Sequence, residues 1–134
     1  MKIAAVSEDG VTISQHFGRA PFYVVMVVED GKIVSRERRD KLGHAHFAGE
    51  AHEGSHGEDP RGHGFGPAEQ DRHFRMAHPI KDCQILLVRG MGAGAYSSMQ
   101  QVGIRPVVTD ITEIDTAALE AAQGSIVDHK ENLH

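Results

Sequence analysis

With 134 residues, 40% of them apolar and 25% charged, the chain is long enough to bury the core of one ordinary globular domain. A net charge of -5 with no offsetting basic face excludes general attraction to nucleic acid, and no apolar run is long enough for a membrane span or, at Met1-Lys-Ile-Ala-Ala-Val, for a signal peptide. The single cysteine excludes an internal disulfide and fits a reducing cytoplasm, whereas ten histidines and fifteen glycines are unusual.

Lys2 to Val6 predicts a first strand, followed by a turn at Ser7-Glu-Asp-Gly10 and a short extended piece from Val11 to Ile13. Ser14 to Phe22 is too irregular for a regular element and reads as a loop. Phe22 to Val28, apolar throughout and rich in valine, predicts a second strand. Asp30-Gly31 then predicts a hairpin into Ile33–Arg39, and the charged run Arg36-Glu-Arg-Arg39 marks that third strand as an exposed edge. From Gly43 to Gly66, five histidines, seven glycines and four acids replace any helical or strand period. This composition predicts a flexible insertion with too little apolar surface to order itself. Pro67 suits the first turn of a helix running to about Ala77 and ended by Pro79, with Phe74, Ala77 and Ile80 toward the core.

Ile85 to Val88 predicts a strand buried on both faces, and Ala95–Val102, beyond the glycine turn at Gly90–Gly94, predicts a helix closed by Gly103. Arg105 to Thr109 predicts a fifth strand. Thr112-x-x-Asp115 resembles a capping box opening a last helix that buries Ile114, Ala118, Ala121 and Ala122 and stops at Gly124. The polar tail from Asp128 is expected to be loose. A meander followed by helix–strand crossovers makes an α/β fold, a mixed five-stranded sheet with flanking helices in one domain. Crevices open beyond the carboxyl ends of parallel strands, and there the Gly90–Gly94 turn and the loop after the first strand reach one rim.

Gly90, Gly92 and Gly94, between a buried strand and a helix start, leave main-chain N–H groups open to an anionic ligand. Gly90-x-Gly92-x-x-Ala95, with Asp110 twenty positions on, meets a permissive dinucleotide fingerprint. A three-stranded meander precedes it, however, and only 24 residues follow Asp110, too few for a second nucleotide-binding half. Arg89-x-x-Gly92-x-Gly94 also fits the pyrophosphate loop of acetyltransferases, which keeps a small acyl-CoA- or nucleotide-binding enzyme as one alternative. A turn needed only for close packing of helix on strand competes with both. No Gly-x-Ser-x-Gly elbow frames Ser97, so no hydrolytic triad is supported. Taken alone, His16 reads as a surface residue and Cys83 as a small core residue. His44-x-His46 and His52-x-x-x-His56, with His63 beyond, set imidazoles and carboxylates on a soft chain, a pattern for weak, unselective binding of a divalent ion such as zinc or nickel. A metal buffer or sensor acting through that segment is therefore a second alternative.

Three blocks taken together carry more. Ser14-x-His16-Phe17-Gly18-Arg19-Ala20-x-Phe22, then Cys83-x-Ile85-x-x-x-Arg89-Gly90-Met91-Gly92-x-Gly94-Ala95, then Gly103-Ile104-x-Pro106-x-x-Thr109 resemble, in order, the dinitrogenase iron–molybdenum cofactor biosynthesis family of the NifX and NafY type. The resemblance covers most of the chain outside Gly43–Gly66. It implies a ribonuclease-H-like sheet, and it makes the dinucleotide and acetyltransferase matches accidental. It further implies a cytoplasmic, non-enzymatic protein that binds or carries iron–sulfur or iron–molybdenum clusters transiently, with metallocofactor assembly or acceptor proteins as partners. His16 is then the histidine of the family's His-Phe-Gly motif and the leading cluster contact. Gly90, Gly92 and Gly94 would offer amides to cluster sulfides, and Arg19 and Arg89 would balance the charge. One cysteine cannot hold such a cluster through thiolates alone, so His16 and Cys83 as ligands would leave positions open to exchange, with the histidine-rich insertion recruiting metal. Small members of this family also occur outside nitrogen fixation.

Overall fold

Asp30 and Gly31 both adopt positive φ, 52° and 74°, the two-residue turn whose twist matches the strands on either side. In the computed structural model, which describes residues 1–41 and 75–133, this turn joins β2 (Phe22–Glu29) to β3 (Lys32–Asp40). Among the described residues the remaining strands are β1 (Lys2–Ser7), β4 (Ile85–Val88) and β5 (Arg105–Val108), and the longer helices are α1 (Ala93–Gln101) and α2 (Ile114–Gln123). The strands form one mixed sheet in the order β3-β2-β1-β4-β5. β1 and β2 are antiparallel, as are β2 and β3, whereas β1–β4 and β4–β5 are parallel. The predicted α/β class, meander and crossovers are therefore present. The segment Gly43–Gly66, with its five histidines, lies outside the described residues, as does most of the helix expected from Pro67.

Burial follows strand position. Ile3 to Val6 and Ile85 to Val88 are 4% exposed or less, as expected of strands covered on both faces. Each such valine, leucine or isoleucine contributes about 1.5–3 kcal/mol, so the sheet centre dominates stability. Every residue of β3 is exposed or half-buried, and this edge is held instead by its hairpin and by ion pairs. Arg39 reaches Asp82 at 2.7 Å and Arg36 reaches Asp115 at 2.7 Å. Tyr23 Oη donates to the Met76 carbonyl at 2.7 Å, laying the 75–80 segment on one face of the sheet. Met26 pairs with Arg36, whose bond to Asp115 lays α2 on the other face, because side chains alternate along a strand.

Both helices end at the predicted glycines. Gly103 and Gly124 have φ of 86° and 80°, and in each case the next two N–H groups close a Schellman motif. Gly103 and Ile104 donate to Gln100 and Met99, and Gly124 and Ser125 donate to Ala121 and Glu120. Three expectations need correction. α2 has no side-chain cap, so the Thr112–Asp115 box does not form. The segment after β1 occupies that helix start instead: Ile13 N–H donates to the Thr112 carbonyl at 2.8 Å, and Ile114 N–H donates to the Val11 carbonyl at 3.0 Å. Pro79 does not end the helical segment but sits within a 3-10 turn, His78–Ile80, that continues residues 75–77.

The third correction concerns the tail, which is docked. Asp128 accepts from Tyr96 Oη at 2.7 Å and from Val108 N–H at 2.9 Å, and His129 N–H donates to the Val108 carbonyl at 2.7 Å. Removing the carboxylate strands the buried Val108 N–H. Asp128→Ala should therefore lower the urea midpoint, at unchanged slope, by the equivalent of about 1–3 kcal/mol. An unchanged midpoint would show that the tail is not docked in solution.

Candidate functional site

The parallel strands β1 and β4 send their following loops out at the same end of the sheet. After β1, Asp9 organises the first turn. Its carboxylate accepts from Val11 N–H at 2.9 Å and from Thr12 N–H and Thr12 Oγ1 at 2.8 Å each, which holds it well below the usual carboxylate range. Ser14 N–H then donates to the Val6 carbonyl at 2.8 Å, and Ser14 Oγ accepts from His16 N–H at 3.1 Å. Arg19 and Ala20 N–H groups both donate to the His16 carbonyl at 3.1 Å, closing one tight turn. Phe17 is buried, and its N–H donates to the Gly90 carbonyl at 3.2 Å across the two loops. With Ser14 and Phe17 fixed inward, Gln15 and His16 are left facing solvent.

The result is a recess of about 350 Å³ lined by Glu8, Asp9, Thr12, Ile13, Ser14, Gln15, His16 and Arg89. Its volume falls in the range of small-ligand sites, about 300–1,000 Å³. Three ionisable side chains in it have no intramolecular partner among the described residues. The exposed His16 ring and the half-buried Arg89 guanidinium each make no hydrogen bond or ion pair, and the same holds for Glu8. The recess therefore offers an imidazole nitrogen and a planar cation, with a carboxylate on the wall formed after β1.

The other candidates fall in different places. Arg19 is exposed and does not line the recess. Gly90 is buried and spends its carbonyl on Phe17, while Gly92 caps α1 and Gly94 lies in its first turn. These glycines form the support behind Arg89, and none of them lines the recess. None of the three has positive φ, so their backbone conformations do not require glycine. Cys83 stands at the opposite end of the sheet from His16. It precedes β4 whereas Arg89 follows it, a separation of about 20 Å along an extended strand. It is 3% exposed, and burial, with the nearby Asp82 charge, pushes its thiol up to about 12. The structure thus does not bring Cys83 and His16 together as ligands of one group. His44, His46, His52, His56 and His63 lie outside the described residues, and no group of three or more His, Cys, Asp or Glu side chains among the described residues converges as a metal site. Sequence reasoning does not single out Glu8, Asp9, Thr12 and Gln15 as lining residues; their position beyond the carboxyl end of β1 is the signal that locates them.

The family model of the dinitrogenase iron-molybdenum cofactor matches residues 1–124. The chain belongs to that family. No curated protein matches it. Among solved structures, the apo form of the orange protein of Desulfovibrio gigas is similar at 19% identity and a TM-score of 0.61, over 96% of this chain and 92% of that one. A candidate dinitrogenase of Methanocaldococcus jannaschii matches at 9% identity and a TM-score of 0.60, over 97% of this chain and 95% of that one. A candidate NifB protein of Thermotoga matches at 17% identity and a TM-score of 0.53, over 95% and 91% of the two chains. At these identities the likeness shows the fold alone. Family membership ties the chain to cofactor- or cluster-related processes. No helix among the described residues is long and apolar enough to cross a membrane.

The thiol gives a direct check on Cys83. A shift from 9.0 to about 12 leaves about a thousandfold less thiolate at pH 8. Ellman's reagent should therefore react with the native protein far more slowly than with the urea-unfolded chain. Comparable rates would place the thiol at the surface.

Proposed function

We propose that the chain is a non-enzymatic carrier of an anionic iron–sulfur or iron–molybdenum type cluster, bound at the His16–Arg89 recess during metallocofactor assembly and passed to an acceptor protein. The observation that carries the reading is the convergence of two unpaired groups, one imidazole and one guanidinium, in a single recess between the loops after β1 and β4. An imidazole nitrogen can ligate iron, and a guanidinium pairs with an anion's charge while donating hydrogen bonds. No thiolate stands nearby, so the cargo keeps most of its coordination positions for other ligands, which favours release over permanent tenure. Glu8 on the recess wall opposes negative charge and weakens retention further. The His16 ring makes no hydrogen bond to a hydroxyl or thiol among the described residues, which supports binding in preference to nucleophilic catalysis. The strand order supports the finer description of the sheet as ribonuclease-H-like.

The histidine-rich segment enters the reading as a recruiter of metal ions. β3 ends, at Asp40, beside the start of β2, which is the recess end of the sheet, and His44 and His46 follow within six residues of Asp40 in sequence.

Anaerobic titration with ferrous iron and sulfide, followed by optical charge-transfer bands, tests both parts. His16→Ala should abolish the bands. Arg89→Gln should weaken binding by about tenfold, the loss expected for one charge-assisted contact, and Glu8→Gln should strengthen it. Deletion of 43–66 should slow loading yet leave the bands in place. Bands that survive His16→Ala but vanish on the deletion would contradict the carrier reading and favour a metal buffer.

A further inference from the structure

β3 ends at Asp40, and the next residue, Lys41, is 3% exposed, the only lysine in the described residues to be buried. No carboxylate pairs with it among the described residues. Its main-chain N–H donates to the Pro21 carbonyl at 3.1 Å. Its ammonium donates to the Phe17 carbonyl and lies 4.2 Å from the centroid of the Phe17 ring. Burying an amine without a counter-charge is unfavourable, and here burial alone pulls it down to about 7. A methionine or leucine would fill the same space without that cost. What only the lysine supplies is a donor to the main chain of the loop that presents His16.

We propose that Lys41 is the positioning residue of the recess: it grips Phe17 from behind, keeps the Phe17 N–H on the Gly90 carbonyl, and so fixes His16 beside Arg89. Phe17 is held on both sides of its backbone, by Gly90 at the N–H and by Lys41 at the C=O. This double hold restrains the residue before it, in addition to the bonds His16 makes through its own N–H to Ser14 Oγ and through its own carbonyl from Arg19 and Ala20. The effect on cargo rests on the carrier reading proposed above, whereas the effect on the loop does not.

The test uses the full chain as Lys41→Met and Lys41→Arg, with native-state amide exchange by NMR and the ferrous iron and sulfide titration. In Lys41→Met the Phe17 N–H should exchange about tenfold faster, the scale of one lost hydrogen bond. Leu86 and Val25, in the sheet, should exchange as before, and the urea midpoint should hold or rise because a buried amine has been removed. Iron–sulfide binding should weaken by about the same factor, and Lys41→Arg, which keeps a cationic donor, should restore part of both losses. An unchanged Phe17 rate would overturn the assignment. So would a uniform rise in exchange at Phe17, Leu86 and Val25 with a lower midpoint, since Lys41 would then be a general core residue. Faster Phe17 exchange with undiminished iron–sulfide binding would uphold the grip of Lys41 on the loop and overturn the recess as the cargo site.

Discussion

The parallel pairing of β1 with β4 is the constraint from which the site follows. Ile3, Ala4 and Ala5 register against Ile85, Leu86 and Leu87, so both strands point their carboxyl ends the same way. Two loops separated by some seventy residues in sequence must then emerge side by side, and a single hydrogen bond from Phe17 N–H to the Gly90 carbonyl joins them. That bond is available because Phe17 is buried, and burying Phe17 turns its neighbour His16 outward. The apolar core and the exposed imidazole are thus two consequences of one packing event. The glycine turn supplies the Gly90 carbonyl that accepts this bond.

On the proposed carrier reading, the charges in the recess would hold a cargo without trapping it. Asp9 spends its carboxylate on the Val11 and Thr12 N–H groups and the Thr12 hydroxyl, and so acts as a scaffold for the turn. Arg89 and Glu8 stay unpaired among the described residues and set opposing preferences within a few side chains of His16. The one thiol is at the far end of the sheet and strongly disfavours its anionic form. A cluster held by a single imidazole and a guanidinium exchanges readily with an acceptor that offers thiolates, because the better donors are on the other protein.

Much of the architecture was legible because it depends on local chemistry. Asp30-Gly31 can hardly be anything but a hairpin turn, Gly103 and Gly124 stop helices by adopting positive φ, and valine-rich or β-branched runs make strands. The position of His16 and Arg89 on one rim was legible for a topological reason, since loops following parallel strands share an end. The same rule separates Cys83 from them, because it precedes its strand. What could not be read depends on contacts between distant segments. The helix starts one residue later than the capping-box signature at Thr112–Asp115 requires, with Glu113 at the N-cap, while the Thr112 carbonyl and the Ile114 N–H bond the segment after β1. Asp128 lies in a polar tail that looks loose until the end of β5 offers it the Val108 N–H. Nothing in the sequence around Lys41 announces a buried lysine, and only the Phe17 loop folded over it reveals one.

The most direct test of the shared recess is the location of iron in crystals of protein loaded anaerobically with iron and sulfide. Anomalous difference density at the iron edge is expected within bonding distance of the His16 imidazole, on the side facing Arg89. Density at the Cys83 end of the sheet, or confined to the histidines of 43–66, would contradict the account.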